Sequence, residues 1–204
     1  MNLPKLFKKS LIVCSLSFMS LNATFAEDIN LKEIVDSCNA GDIDNCFLAG
    51  TLLIEGTDVE KDSLTGVKLA EKACTKGLRE ACSYLGEEYL TGKHLKANSN
   101  QAAYYIELAC NAGDMYSCAV FGSMSAKGLG VRRDLEKAAS LFTKSCDGNE
   151  SFGCLLLAKM HQDGFGVNQD LQKAITLLDK ACSLENDEAC KQKEELIRKL
   201  KVKK

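Results

Sequence analysis

Between Cys110 and Ser145 apolar and small residues recur at helical spacing in two short runs separated by a polar stretch. In the first run, Tyr116 to Lys127, Cys118, Phe121 and Gly122 fall on one side of a helix. In the second, Ala138, Leu141, Phe142 and Ser145 make the apolar side. Gly128 predicts the end of the first helix, because glycine takes a left-handed cap without strain. Asp134 predicts the start of the second, its carboxylate accepting from orphan backbone amides. The unit reads as a helical hairpin, helix A followed by helix B.

The same columns recur along the chain every 36 residues, without insertion or deletion. Turn glycines stand at Gly56, Gly92, Gly128 and Gly164, and N-caps at Asp62, Asn98, Asp134 and Asp170. Small residues recur in helix A at Gly50, Gly86, Gly122 and Ala158, where two helix backbones must approach closely, and in helix B at Gly66, Ala102, Ala138 and Ala174. Gly130-Val131 and Gly166-Val167 form a loop signature that the first two units lack. A fixed period of this length predicts stacked units, each burying its apolar side against its neighbours. The expected organisation of residues 27–204 is one all-α solenoid. A first helix at 29–39 precedes repeats at about 42–76, 78–112, 114–148 and 150–184, and a capping helix at 187–202 closes it. Leu31, Ile34 and Val35 are the expected buried stripe of the first helix. The last segment is mostly charged, with Leu196, Ile197, Leu200 and Val202 apolar, as a terminal repeat needs. Lys199, Lys201, Lys203 and Lys204 read as a solvated tail.

Cysteine follows the same period: Cys38, Cys46, Cys74, Cys82, Cys110, Cys118, Cys146, Cys154, Cys182 and Cys190 spell C-x7-C five times. Residues eight apart on one helix would lie about 12 Å apart, too far to bridge. A tight turn between them, as at Gly113, brings them opposite each other. The expected bridges are Cys38–Cys46, Cys74–Cys82, Cys110–Cys118, Cys146–Cys154 and Cys182–Cys190. A rival pattern closes A against B within each hairpin (Cys46–Cys74, Cys82–Cys110, Cys118–Cys146, Cys154–Cys182). It leaves Cys38 and Cys190 unpaired, which counts against it.

The beginning of the chain changes the picture of where it works. Lys5, Lys8 and Lys9, an apolar run from Leu11 to Leu21, and Thr24-Phe25-Ala26 read as a secretory signal over residues 1–26, removed after Ala26. Cys14 leaves with it, so the remaining thiols are even in number, as in an exported disulfide framework. The protein is expected to be periplasmic or secreted, without a membrane span. Removing the signal takes three of the 26 basic residues and none of the 28 acidic ones, leaving a net charge of −5. That balance argues against nucleic acid as a partner.

Segments such as ACSYLGEEYLTG (Ala81–Gly92) and GLGVRRDLEKAASLFTKSC (Gly128–Cys146) resemble the Sel-one-like repeat, a relative of the tetratricopeptide repeat. The paired cysteines narrow the resemblance to the Helicobacter cysteine-rich proteins. It implies a right-handed α/α solenoid whose A helices line a concave groove for a protein or peptide. It also implies an alternative activity, weak β-lactam hydrolysis or binding of penicillin-like and cell-wall compounds. The residues offer that alternative no familiar machinery. No serine is followed three residues later by lysine, and Lys-Thr-Gly is absent. With two histidines, a zinc site lacks ligands, so neither metal nor cofactor is expected.

His161 shares a helix A column with Leu53, Tyr89 and Ser125, which predicts a packing role rather than a catalytic base. His94 falls in an A–B loop and is expected to be exposed. Glu87, Glu88 and Asp163 are single acids without a carboxylate partner. The candidate groove residues are variable helix A positions one turn apart: Thr51, Tyr84, Glu87, Val120, Ser123, Leu156, Lys159 and Asp163. Apolar and aromatic groups set among charges suit peptide recognition.

Overall fold

The computed structural model describes residues 30–202, and the expected signal segment lies outside the described residues. Ten helices follow one another: α1 (Leu31–Ala40), α2 (Ile43–Glu55), α3 (Ser63–Thr75), α4 (Arg79–Thr91) and α5 (Ser99–Asn111), then α6 (Met115–Lys127), α7 (Leu135–Asp147), α8 (Ser151–Asp163), α9 (Leu171–Ser183) and α10 (Asp187–Val202). No strand occurs among the described residues. Even-numbered helices are the A helices and odd-numbered ones the B helices. Helices pack chiefly on their neighbours in sequence, α2 on α3, α4 on α5 and onward, with α6 also touching α8. The chain is therefore an all-α solenoid.

Each hairpin is cut to length by the same devices. The side chains of Asp62, Asn98, Asp134 and Asp170 accept from the backbone N–H of Thr65, Gln101, Lys137 and Lys173 at 3.1, 3.3, 2.8 and 2.9 Å. Gly128, at φ 72°, ends α6 by donating to the Met124 carbonyl. Replacing a capping aspartate removes the acceptor for an otherwise orphaned donor. Asp134→Ala should therefore lose about 1 kcal/mol in urea unfolding, whereas exposed Glu136→Ala should change stability by less than about 0.5 kcal/mol.

Within a hairpin the small column sets the separation of the helices. A Cβ at Gly86 would stand 2.5 Å from the Ile106 side chain, and one at Gly122 only 2.6 Å from the Phe142 ring. At Gly50 the obstacle is backbone, the Ala70 nitrogen at 2.8 Å. Contact this close brings the apolar sides of A and B into one buried layer that includes Ile54, Leu85, Phe121 and Leu178.

Between hairpins the chain turns through a left-handed residue. Gly41, Gly77 and Gly113 hold this position in the first turns, while Asn149 and Glu185 take φ 63° in the last two. Each turn sets its flanking cysteines face to face, with Cα–Cα distances of 4.5 to 4.8 Å. All five bridges are the local ones, and the rival A-to-B pairing does not occur. A lysine column adds a further tie. Lys72, Lys144 and Lys180 each reach back one repeat and donate to the carbonyls of Cys38, Cys110 and Cys146, at 3.0, 3.0 and 2.7 Å. Lysine is well placed to satisfy carbonyls at a helix C-terminus. The second unit breaks this column with Leu108.

The two ends differ in how well they are covered. Leu31, Ile34 and Val35 are half-buried rather than buried, because among the described residues α1 packs chiefly on α2; Cys38 is its sole buried residue. At the other end α10 runs 16 residues, buries Leu196 and ties Lys193 to Asp179 of α9 at 2.8 Å.

Candidate ligand-binding cleft

The A helices present their variable positions in register, so residues 36 apart align along one face. The column of Leu48, Tyr84, Val120 and Leu156 is apolar and aromatic. One turn further along each helix come Thr51, Glu87, Ser123 and Lys159, and one turn earlier come Asp44, Glu80, Tyr116 and Phe152. Tyr116 is 56% exposed, and its ring tilts against that of Phe152 with centroids 6.0 Å apart.

Between α4 and α6 this face opens into a cleft of about 330 Å³. Its apolar wall is Leu90, Val120 and Ile106, the last contributed by α5 beneath. Ser83, Glu87, Asp114 and Tyr116 form its rim. A second depression, of about 380 Å³, adjoins it through the shared residues Ser83, Asp114 and Tyr116, and adds Glu80 and Glu150. Asp114 is at once the N-cap of α6 and a rim group: its carboxylate accepts from the Tyr116 amide at 3.2 Å and the Ser117 hydroxyl at 2.7 Å. A larger open depression of about 740 Å³ lies over residues 131–137. Its charged groups are largely engaged already, Arg133 with the Ala126 carbonyl, Lys137 with Glu107 and Asp134 with the Lys137 amide.

Of the eight candidate groove residues, Glu87 and Val120 share the cleft. Tyr84 turns instead toward α2, its ring 5.6 Å from that of Phe47 and its hydroxyl donating to Glu55 at 3.2 Å. Burial, and then the charges of Glu55 and Glu88, push that phenol well above its ordinary pKa, so it remains a donor. Thr51 and Ser123 turn their hydroxyls to the carbonyls of Leu48 and Ala119 on their own helices. Leu156 packs half-buried against the core of the third hairpin, while Lys159 and Asp163 are exposed further along the face. Sequence reasoning passed over Ser83, Leu90, Asp114 and Tyr116. The signal for Tyr116 was an aromatic residue in the column that holds Asp44 and Glu80.

The histidines divide. His161 is 7% exposed, in the packing column, with Nδ1 3.2 Å from the Asn168 carbonyl. His94 is not the free loop residue expected. Buried Glu88 accepts from the His94 backbone amide at 2.9 Å, and its other carboxylate oxygen stands 2.9 Å from the ring Nδ1. The aligned residues are Leu52, Met124 and Met160, so nothing in the period announces an acid here. Among the described residues no group of three or more His, Cys, Asp and Glu is arranged to hold a metal.

The Sel1 repeat family model matches residues 45–78, 79–114, 115–150 and 151–186, each match opening near the start of an A helix and together covering more than half of the chain. The chain belongs to the Sel1 repeat family. Its Sel1 solenoid superposes on that of c5321, a protective antigen of uropathogenic Escherichia coli strains with an SLR fold (TM-score 0.71, 22% identity, 80% of this chain and 35% of that one). A Sel1 repeat protein from Oxalobacter formigenes gives TM-score 0.66 at 21% identity, over 81% of this chain and 66% of that one. The chain thus spans about a third of the first relative and about two thirds of the second. Helicobacter pylori cysteine rich protein B aligns at TM-score 0.49 and 28% identity, over 61% of this chain and 94% of that one. No curated protein matches the sequence.

Proposed function

We propose that this Sel1 repeat protein is an exported scaffold that binds a peptide segment of another protein on its A-helix face, at the cleft between α4 and α6. The observation that carries this reading is the cleft itself: an apolar wall of Leu90, Ile106 and Val120 behind a polar rim, the arrangement that recognition sites share. Five bridges between consecutive hairpins support a preformed surface, which lowers the ordering cost of binding. The same bridges favour an oxidising compartment. No helix among the described residues is long and apolar enough to cross a membrane.

Selection of displayed peptides on the oxidised chain, residues 27–204, tests the proposal. Saturable binders are expected, and they should be lost when the chain is reduced and alkylated. Failure to recover any saturable peptide would count against the scaffold reading. Turnover of a chromogenic cephalosporin above a mock purification would replace it with the hydrolase reading that the family resemblance implies.

A further inference from the structure

Resting on that reading, we infer that the cleft between α4 and α6 takes a lysine or arginine side chain of an extended peptide, its stem on the apolar wall and its charge at the rim. The geometry supplies two complementary halves. Leu90, Ile106 and Val120 offer an apolar surface wide enough for an aliphatic stem, which lysine and arginine bury readily while keeping the head in water. Around the mouth of this cleft and the depression adjoining it stand four carboxylates: Asp114 and Glu150, which also cap α6 and α8, Glu80, and Glu87, which is the one left uncommitted among the described residues. Among the described residues the one cation lining either is Arg79, already paired with Glu80 at 3.0 Å. Glu87 is exposed, and its carboxylate has no hydrogen bond or ion pair among the described residues. An apolar peptide anchor would leave this field unanswered, and an acidic one would be repelled by it.

Tyr116 adds a reason for a cation rather than a neutral donor. Its exposed ring lines both depressions, and a cation over a tyrosine face is attracted by the ring's quadrupole. The field is local. Along the column of Glu87, the preceding repeat carries Thr51 and the next two Ser123 and then Lys159, so the uncommitted acid of this column stands in the second unit alone. That confinement would fix where along the face a peptide sets its basic residue.

The test uses a random library of ten-residue displayed peptides and the oxidised chain. Selected peptides should share one lysine or arginine. In the tightest binder, replacing that residue by norleucine should weaken binding about tenfold or more. Glu87→Gln should weaken it about five- to tenfold and flatten its dependence on salt, and Tyr116→Ala should weaken it at least threefold. Glu136→Gln, in the first turn of α7 and lining neither depression, should leave it unchanged. Selected peptides without a common basic residue, or binding indifferent to both Glu87→Gln and Tyr116→Ala, would overturn the basic anchor while the scaffold reading stood. Recovery of no saturable peptide would overturn both.

Discussion

Complete reduction of the five disulfides should unfold the array in the absence of denaturant. Each bridge closes a loop with a sequence separation of 8, for which chain entropy alone gives about 2–3 kcal/mol at 25 °C. Five together amount to more than about 10 kcal/mol, comparable with the whole stability of an ordinary domain, about 5–15 kcal/mol. A solenoid has little else to compensate, since each hairpin touches only its neighbours. The sulfurs also fill space: Cys38, Cys46, Cys82, Cys110, Cys118 and Cys154 are at most 1% exposed and lie within the packed layers. Parting them would set two thiols where one bridge fits. Circular dichroism at 222 nm, with all ten thiols alkylated, should show loss of most helical signal and of any cooperative urea transition. Removing one central bridge, with Cys110→Ala and Cys118→Ala together, should lower stability by about 2–3 kcal/mol and leave the fold intact. A reduced, alkylated chain that still melts cooperatively would mean the helix interfaces alone suffice.

The fold was legible because every structural decision is repeated along the chain. A cap at Asp134 is one weak signal, but the same cap at Asp62, Asn98 and Asp170 turns it into a period. The bridges follow from that period together with the reach of a disulfide. The cleft was less legible for a physical reason. It is assembled from three helices, α4, α5 and α6, and its wall borrows Ile106, a residue of a packing helix. Recognition positions are by nature those where the columns disagree, so periodicity marks where they can be and says nothing of which ones converge. The Glu88–His94 pair was hidden for the opposite reason. It replaces an apolar core residue and a loop position in one unit only, and a single departure from a column reads as ordinary surface variation. The lysine ties to the cysteine carbonyls were in plain view at Lys72, Lys144 and Lys180. A lysine on a helix reads as solvent-facing until the neighbouring helix end is in place.

Substitution of Gly130 by alanine should cost far more than its single methyl suggests. Gly130 has φ +71°, and a Cβ there would fall 2.0 Å from the Ser99 carbonyl oxygen and 2.4 Å from its carbon. Those atoms belong to the first turn of α5, one repeat earlier. Gly166 makes the same approach to Leu135 of α7, at 2.4 Å. The glycine signature of the last two loops is thus a contact between repeats, in which the loop of one unit lies against the helix of the unit before. Gly77 supplies the control, with φ +98° and nothing within 4 Å of where a Cβ would stand. Alanine at either site bears the left-handed penalty of about 1–2 kcal/mol. Only at Gly130 must backbone also move, at a further cost of about 1–3 kcal/mol. Gly77→Ala should therefore lose about 1 kcal/mol and Gly130→Ala about 3 kcal/mol or more. Because cohesion passes from neighbour to neighbour, the second variant should also broaden the urea transition as the two halves of the array come apart. The second unit carries His94 at the aligned position and holds its loop by other means, the Glu88 carboxylate on one side and Lys61 donating to the His94 carbonyl at 3.0 Å on the other. Equal losses for Gly77→Ala and Gly130→Ala would place the coupling of the third unit to the second in the helix faces and the lysine ties, not in the loop.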